Sequence, residues 1–418
     1  MTKWSRWGVW SVCVAMGGAL GCYDTGGRGD VDAARVDAPT GPPTLPERCE
    51  LAWLRTIPVS AGLGFVISIA TDREENVLVS FYNSDTFTLD GVRYPGGEYL
   101  VGFSRENRLQ FPPVERSVRL TSTAGRIIGA GTDSSGMTSL VEIDGRTGVT
   151  LRDFGIFRAE ELWEPEAAFV GETLVWSMTV GGEFAFPGAA MRVLPRGTGI
   201  VLAIRPGGWR GVAEWEGRVP MTASREGALL MGAPGPLCFN GVCQDVLSRR
   251  RLVAEDGSVR SVGEAQVDGD EFAVRIRALD DGSLVTFGLG LTAWDPSGAS
   301  RWTRDVPWLF FHEGWGIEER AGRVVTMTRI EDMPMAMVGD LPLNVGSSRQ
   351  ELFVDFSLTD GTPLRWWHIE DPDRGGRTGA SWYVMGASGR SYATGIADPI
   401  VDVCGMRVTD GLFIAAFD

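Results

Sequence analysis

The chain has 418 residues, 44% of them apolar, with a formal net charge of −15. A charge of that sign argues against nucleic acid or an anionic lipid surface as electrostatic partner and favours solubility. With only two histidines, it holds little material for a metal centre.

Residues 1–21, MTKWSRWGVWSVCVAMGGALG, place Lys3 and Arg6 before an apolar run from Gly8 to Leu20, and small residues before Cys22. That order is the layout of a secretory signal peptide. The run is shorter than the about 20 apolar residues a spanning helix needs, so export is expected rather than retention as a membrane helix. Ala19-Leu20-Gly21-Cys22 resembles the lipobox of bacterial lipoproteins, with leucine one place later than usual. The resemblance implies diacylation of Cys22, whose several chains make a stable anchor at about 0.8 kcal/mol per buried methylene. Plain cleavage without a lipid stays open. Tyr23 after the cysteine, rather than aspartate, points by the sorting rule of enteric lipoproteins to the outer membrane, on its periplasmic or cell-surface side. Cleavage removes Lys3 and Arg6 and takes the formal charge from −15 to −17.

Residues 22–46 are rich in Gly, Pro and Asp and almost free of large apolar side chains, so they read as a disordered tether. The domain is then 47–418. Within it a turn rich in Gly or Asp is followed seven times by an apolar strand: Asn76–Phe81, Arg126–Gly131, Thr173–Met178, Gly227–Gly232, Ser283–Gly288, Arg323–Thr328 and Arg390–Gly395. Each has a second strand downstream: Tyr99–Phe103, Thr138–Ile143, Gly199–Ile204, Arg249–Ala254, Gly290–Trp294, Glu351–Phe356 and Gly411–Phe417. A tight turn then leads to a strand bearing an aromatic, such as Phe111, Phe154, Trp215, Trp302 or Trp366; the fourth repeat lacks it. With one strand before each unit, such as Phe65–Thr71 or Ser381–Ala387, the spacing predicts four strands per repeat of about 50 residues. That pattern is an all-β, seven-bladed β-propeller of antiparallel strands. The last repeat stops after its third strand, and Glu50–Ile57, with Trp53 where Trp302 and Trp366 sit, supplies the missing fourth. The N-terminal strand is thus expected to complete the C-terminal blade and close a monomeric ring.

Thr71–Val79, Phe87–Val92 and Tyr99–Phe103, and likewise Val401–Val408 with Leu412–Phe417, resemble the repeat of bacterial seven-bladed-propeller lipoproteins. The resemblance covers about half the mature chain and implies fold and surface location, with no catalytic residues to transfer. Glu142–Gly148 and Leu291–Trp302 resemble more weakly the tryptophan-docking repeat of quinoprotein dehydrogenases, which generally have eight blades and calcium beside the quinone.

Apart from Cys13 and Cys22, four cysteines remain, with three possible pairings in an oxidising compartment. Cys238 and Cys243 flank Asn240-Gly241, a hairpin-turn signal that brings them together. Cys49 and Cys404 are then left to join the closing strand to its blade. Free buried cysteines are the alternative reading.

No catalytic or metal set stands out. His312 and His368 lack a nucleophile-elbow sequence, and carboxylate pairs such as Glu331-Asp332 and Glu370-Asp371 are expected by chance among 54 acidic residues. The Asp-Gly and Asp-x-x-Gly segments at Asp133, Asp144, Asp256, Asp281, Asp295 and Asp360 lack the calcium-loop pattern and stand where β-turns are needed. No cofactor is expected.

In a propeller the loops joining strands two to three and those joining successive blades share one face. The gaps 82–98, 179–198, 233–248, 329–350 and 396–410 are long, and insertions of this kind mark a working face. Candidate binding residues there are Trp163, Phe184, Phe186, Trp308, Phe310, Phe311, Met335 and Trp367, aromatics and methionine being enriched in interface cores. The expected function is a non-enzymatic cell-envelope lipoprotein binding a protein or glycan partner. The alternative is an enzyme using the central channel, quinone-dependent or acting on polysaccharide.

Overall fold

A computed structural model of the chain describes residues 47–59, 64–205, 208–216, 221–224, 227–231, 235–239, 242–246, 249–264, 275–279, 283–287, 290–297, 299–305, 317–320, 322–330, 336–338, 341–343, 349–372 and 379–418. Apart from three inserted two-stranded hairpins, their strands pair antiparallel into seven groups of four, called blades 1 to 7 in chain order, with Thr150–Val170 shared by blades 2 and 3. Blade 1, for example, runs Gly64–Thr71, Val77–Asn83, Gly97–Phe103 and Leu109–Glu115 from the innermost strand outward. Blade 7 takes Gly379–Met385, Ser391–Val403 and Met406–Phe417 from the end of the chain, and Leu51–Ile57 from its beginning. The closing strand lies in register from Trp53↔Ala416 to Ile57↔Leu412, as the repeat spacing requires.

The innermost strands pack side by side in sequence: Gly64–Thr71 on Arg119–Thr123, that on Thr150–Val170, then Met221–Ser224, Arg275–Ala278, Ile317–Arg320 and Gly379–Met385, which returns to Gly64–Thr71. A radial array of four-stranded sheets closed on its first member is an all-β propeller.

Period-two alternation explains why these strands read as nearly continuous apolar runs. In blade 1, Val77, Val79 and Phe81 enter the cluster shared with blade 7, while Leu78 enters the cluster shared with blade 2. In blade 6, Leu352 and Val354 face blade 5 and Phe353 faces blade 7. Six such clusters, one at each seam except that between blades 4 and 5, hold the buried side chains grouped among the described residues. Each side chain the size of leucine or phenylalanine that a seam buries contributes about 1.5–3 kcal/mol.

A second joint repeats between blades. The fourth-strand aromatics Phe111, Trp302 and Trp53 each meet the turn between strands three and four of the next blade. There Gly148 (φ 71°), Gly361 (φ 69°) and Asn107 (φ 64°) adopt the left-handed conformation. The indole N–H of Trp302 donates to Leu358 O at 3.0 Å, and that of Trp53 to Arg105 O at 2.8 Å. Trp366 departs from this pattern. It faces blade 5 with Trp302, while its neighbour Trp367 turns to blade 7. Its place is one residue later: past a register shift that both blades share, Trp302 pairs with Ala293, whereas in blade 6 Arg365 pairs with Asp355 and Trp366 follows it.

A Cβ on Gly361 would meet the Trp302 ring at 2.6 Å, whereas one on Gly188 (φ 84°) meets nothing within 4 Å. Gly188→Ala is therefore expected to cost about 1 kcal/mol, the left-handed strain alone. Gly361→Ala is expected to cost about 1–3 kcal/mol more, from overpacking. Denaturant unfolding of the two variants checks this, and equal losses would remove the docking account.

Candidate functional site

The five long gaps are not slack loops. In blade 3 the middle strands themselves lengthen to Thr173–Ala185 and Arg192–Arg205 and stay paired to Phe184↔Arg192. In blade 7 they lengthen to Val403↔Met406, with a shift between Ala397 and Ile400. Blades 1 and 6 insert the short hairpins Phe87–Leu89/Val92–Tyr94 and Ala336–Val338/Leu341–Leu343. Blade 4 inserts Gly235–Phe239/Val242–Val246, whose first strand pairs with the outer strand of blade 3 through Glu214↔Cys238 and Trp215↔Leu237. Strand direction puts all five on the face expected from the sequence.

The hairpins of blades 1 and 3 are pinned from inside, and those of blades 1, 3 and 7 leave apolar residues outside. In blade 1, Phe87 packs edge-on against Phe81 (5.4 Å) and Tyr99 (5.1 Å), and Arg55 from the closing strand reaches Asp90 in the turn at 2.5 Å. In blade 3, Phe184 and Leu194 point inward, and Arg192 grips Glu214 through two hydrogen bonds of 2.7 and 2.9 Å. Val92, Met191, Val193 and Met406 remain more than half exposed on these hairpins, as does Phe65 where the innermost strand of blade 1 begins.

This changes the list of candidate residues. Phe184 and Trp367 are buried at 3% and 1% exposure, so they are packing residues and offer no surface. Trp367 stacks on Phe353 with centroids 5.3 Å apart. Phe186 packs partly buried against the seam between blades 2 and 3. Trp163 lies in the continuous strand Thr150–Val170, which leaves blade 2 as its fourth strand and enters blade 3 as its first. Trp308, Phe310, Phe311 and Met335 lie outside the described residues, as do His312, Glu331, Asp332, Asp281 and the signal, Cys22 and the tether. Sequence reasoning missed Met191, Val193 and Met406. The signal for Met191 and Val193 was strand alternation through the gap, which puts them on the face opposite Leu194.

Cys49 and Cys404 are disulfide-bonded, with Cα atoms 5.7 Å apart, within the usual range. Both flank the outer strand of blade 6, Pro363–Asp371. Glu47 bridges in parallel to Trp366 and Arg48 N donates to Trp366 O at 2.9 Å, while Val403 and Asp402 pair with Ile369 and Glu370. His368 stacks on Trp366 (5.5 Å) and its Nδ1 lies 3.1 Å from Glu47. Cys238 and Cys243 stand directly opposite across their hairpin.

The opposite face carries the short turns. The aspartates there serve those turns: Asp144 Oδ1 accepts from Arg146 N (2.8 Å) and Asp360 from Thr362 N (3.0 Å), and Asp133 does the same in the short two-to-three turn of blade 2, on the hairpin side, accepting from Ser135 N (2.8 Å) and Met137 N (3.0 Å). Hydrogen bonds from Ser135, Ser258 and Thr362 hold Asp133, Asp256 and Asp360 below the usual carboxylate range. Two open clefts lie on the short-turn side. One of about 350 Å³ between blades 1 and 2 is lined by Asp72, Arg126, Glu142 and Asp144 among others. Part of its charge is committed internally, since Arg126 Nε pairs with Glu142 at 2.7 Å under the Phe169 ring, and Asn76 binds Asp72 at 2.7 Å. The other, about 600 Å³, joins Glu172, Trp209, Glu255 and Asp256 at blades 3 and 4.

At the seam of blades 1 and 7 the buried Glu75 accepts from Ser388 N and from the Tyr392 hydroxyl at 3.2 Å, with Arg105 Nε at 3.3 Å. Burial, followed by the Glu75 charge, pushes the Tyr392 hydroxyl well above its ordinary value of 10.0. A raised folded value means that the unfolded chain ionises first. The stability from a neutral Tyr392 is thus present below about pH 10 and lost as pH rises above it. Tyr392→Phe is expected to flatten the alkaline fall in stability, measured by denaturant midpoints between pH 8 and 11; an unchanged slope would contradict this.

No family model matches the chain and no curated protein matches it. Solved structures similar to it include a chain of the crystal structure of the mitotic checkpoint complex: 10% identity, TM-score 0.44, covering 93% of this chain and 99% of that one. Another is the WD40 domain of SCAP from fission yeast, at 10% identity and TM-score 0.39, with 87% of each chain covered. A third is YCF48 bound to D1 peptide, at 10% identity and TM-score 0.42, covering 90% of this chain and 100% of that one.

Proposed function

We propose that this chain is an exported, non-enzymatic cell-envelope lipoprotein: a seven-bladed propeller held by acylated Cys22 and the tether 22–46, binding a protein or glycan partner through its hairpin-bearing face. The reading is carried by the hairpins. Loops without function shorten, yet here five insertions are built as paired strands, and those of blades 1, 3 and 7 keep apolar residues in water. Exposed apolar residues on a pinned support are what an interface core requires. The short-turn face supports it by contrast, because in its cleft between blades 1 and 2 Arg126, Glu142 and Asp72 are spent on internal pairs. The cross-strand register of Cys238 and Cys243 fits a second disulfide, which would stiffen the blade 4 hairpin where it docks on blade 3.

In-cell crosslinking followed by capture of the full-length chain is expected to recover a partner with the wild type, and at least tenfold less with Met191→Asp/Val193→Asp, a loss of more than about 1.4 kcal/mol in binding. Equal recovery from the variant, with its fold intact, would move the site elsewhere. Cys22→Ser is expected to shift the protein from the detergent to the aqueous phase, and a wild type already aqueous would remove the anchor. Nonreducing peptide mapping is expected to link the peptides bearing Cys238 and Cys243.

A further inference from the structure

The chain enters the propeller along an edge, and an edge strand is where a load on the tether would act. Leu51–Ile57 is the outermost strand of blade 7, paired on one side only, with a register shift between Leu51 and Trp53. Pulled from its N-terminal end, such a strand peels one pair at a time. Its other polar ties include Trp53 to Arg105 O at 2.8 Å and Arg55 to Asp90 at 2.5 Å and to Asn107 O at 3.4 Å, all in blade 1, with Asp418 N to Glu50 O at 3.0 Å and Arg365 to Glu50 at 3.6 Å.

Cys49 lies two residues before this strand, and its partner lies elsewhere in the blade. Cys404 occupies the turn between Ser391–Val403 and Met406–Phe417, the two central strands of blade 7, which are paired with each other from Ser391↔Phe417 to Val403↔Met406. The same hairpin reaches blade 6 through Ile369↔Val403 and Glu370↔Asp402, and both cysteines pack against the cluster that joins the two blades. A load arriving at Glu47 therefore meets a covalent branch before it reaches Leu51.

From this we propose that Cys49–Cys404 is a mechanical clamp. It diverts load on the N-terminal tether into the central hairpin of blade 7 and its contact with blade 6, and so shields the strand that closes the ring. The significance of such a load rests on the anchored reading above, but the clamp is a property of the domain and is tested without any lipid. Acylation of Cys22 can fail while the clamp holds, and the reverse.

The test is single-molecule extension of the mature chain, with one handle on the tether and the other at position 193 on blade 3. With the bond intact, no extension is expected before the ring opens as a whole. In Cys49→Ser/Cys404→Ser an early, reversible extension step is expected as residues 47–57 detach. Should that variant fail to fold, wild-type protein in a Cys238→Ser/Cys243→Ser background, immobilised while folded and then reduced with a phosphine, gives the same comparison. Identical traces with and without the bond, or the early step with the bond intact, would overturn the clamp.

Discussion

The middle strands of blades 1, 2, 3, 6 and 7 are apolar on both faces, and from that the construction of the ring follows. A sheet with one wet face can stand alone, but Val77, Val79 and Phe81 bury against blade 7 while Leu78 between them buries against blade 2. No such blade can therefore satisfy its own surface. Each needs two neighbours, and a row of such blades always leaves two dry faces exposed unless the last meets the first. Ring closure is thus an energetic requirement of the strand composition, and the composite seventh blade is how it is met. Leu412, Ile414 and Ala416 face blade 1 while Phe413, Ala415 and Phe417 face blade 6, so the terminal strand carries both seams at once.

The joints between blades are of two kinds, and they share the work. Apolar seams provide most of the free energy but are poor at fixing register, since a sliding apolar face still stays dry. The docked aromatics supply direction: an indole N–H has one carbonyl to reach, and at Gly148 and Gly361 the lack of a Cβ is what admits the ring. Glu75 adds a third element at the closing seam. A carboxylate buried at 2% exposure persists there because a hydroxyl, a backbone N–H and a guanidinium all meet it, and removing its partners would leave a charge without solvation.

How much of this was legible in the sequence divides along the same line. The repeat, the propeller, the transplanted Trp53 strand and the Cys49–Cys404 pair were readable because each depends on period-two burial or on spacing, which the one-dimensional string preserves. The insertions were misread as loops because Gly181, Gly182 and Pro187 break the apolar pattern of a strand that nevertheless continues as far as Ala185. The candidate residues suffered from the opposite error. Phe184 and Trp367 were chosen for side-chain type, but type does not tell which way a strand residue faces; Phe184 shares its inward face with Leu194, and Trp367 shares a seam with Phe353. Trp366 illustrates the limit most clearly: it stands one residue beyond the position of Trp302, where blade 6 has Arg365, and that single step reverses its facing.

The distribution of polar groups then decides where a partner can be met. On the short-turn face, aspartates hold backbone N–H groups, arginines hold glutamates or carbonyls, and Arg304 alone binds Gly361 O at 3.0 Å and Asp360 O at 2.7 Å across a seam. A ligand there would have to compete with contacts that keep the blades in register, so binding would be paid for in fold stability. The hairpin of blade 3 is free of that conflict. Its inward residues are already buried, the Arg192–Glu214 ion pair is local to one blade, and Met191 and Val193 belong to neither neighbouring seam cluster. Substitution at that tip can change what is bound without disturbing ring closure, which makes the hairpin face the part of this surface best able to carry specificity.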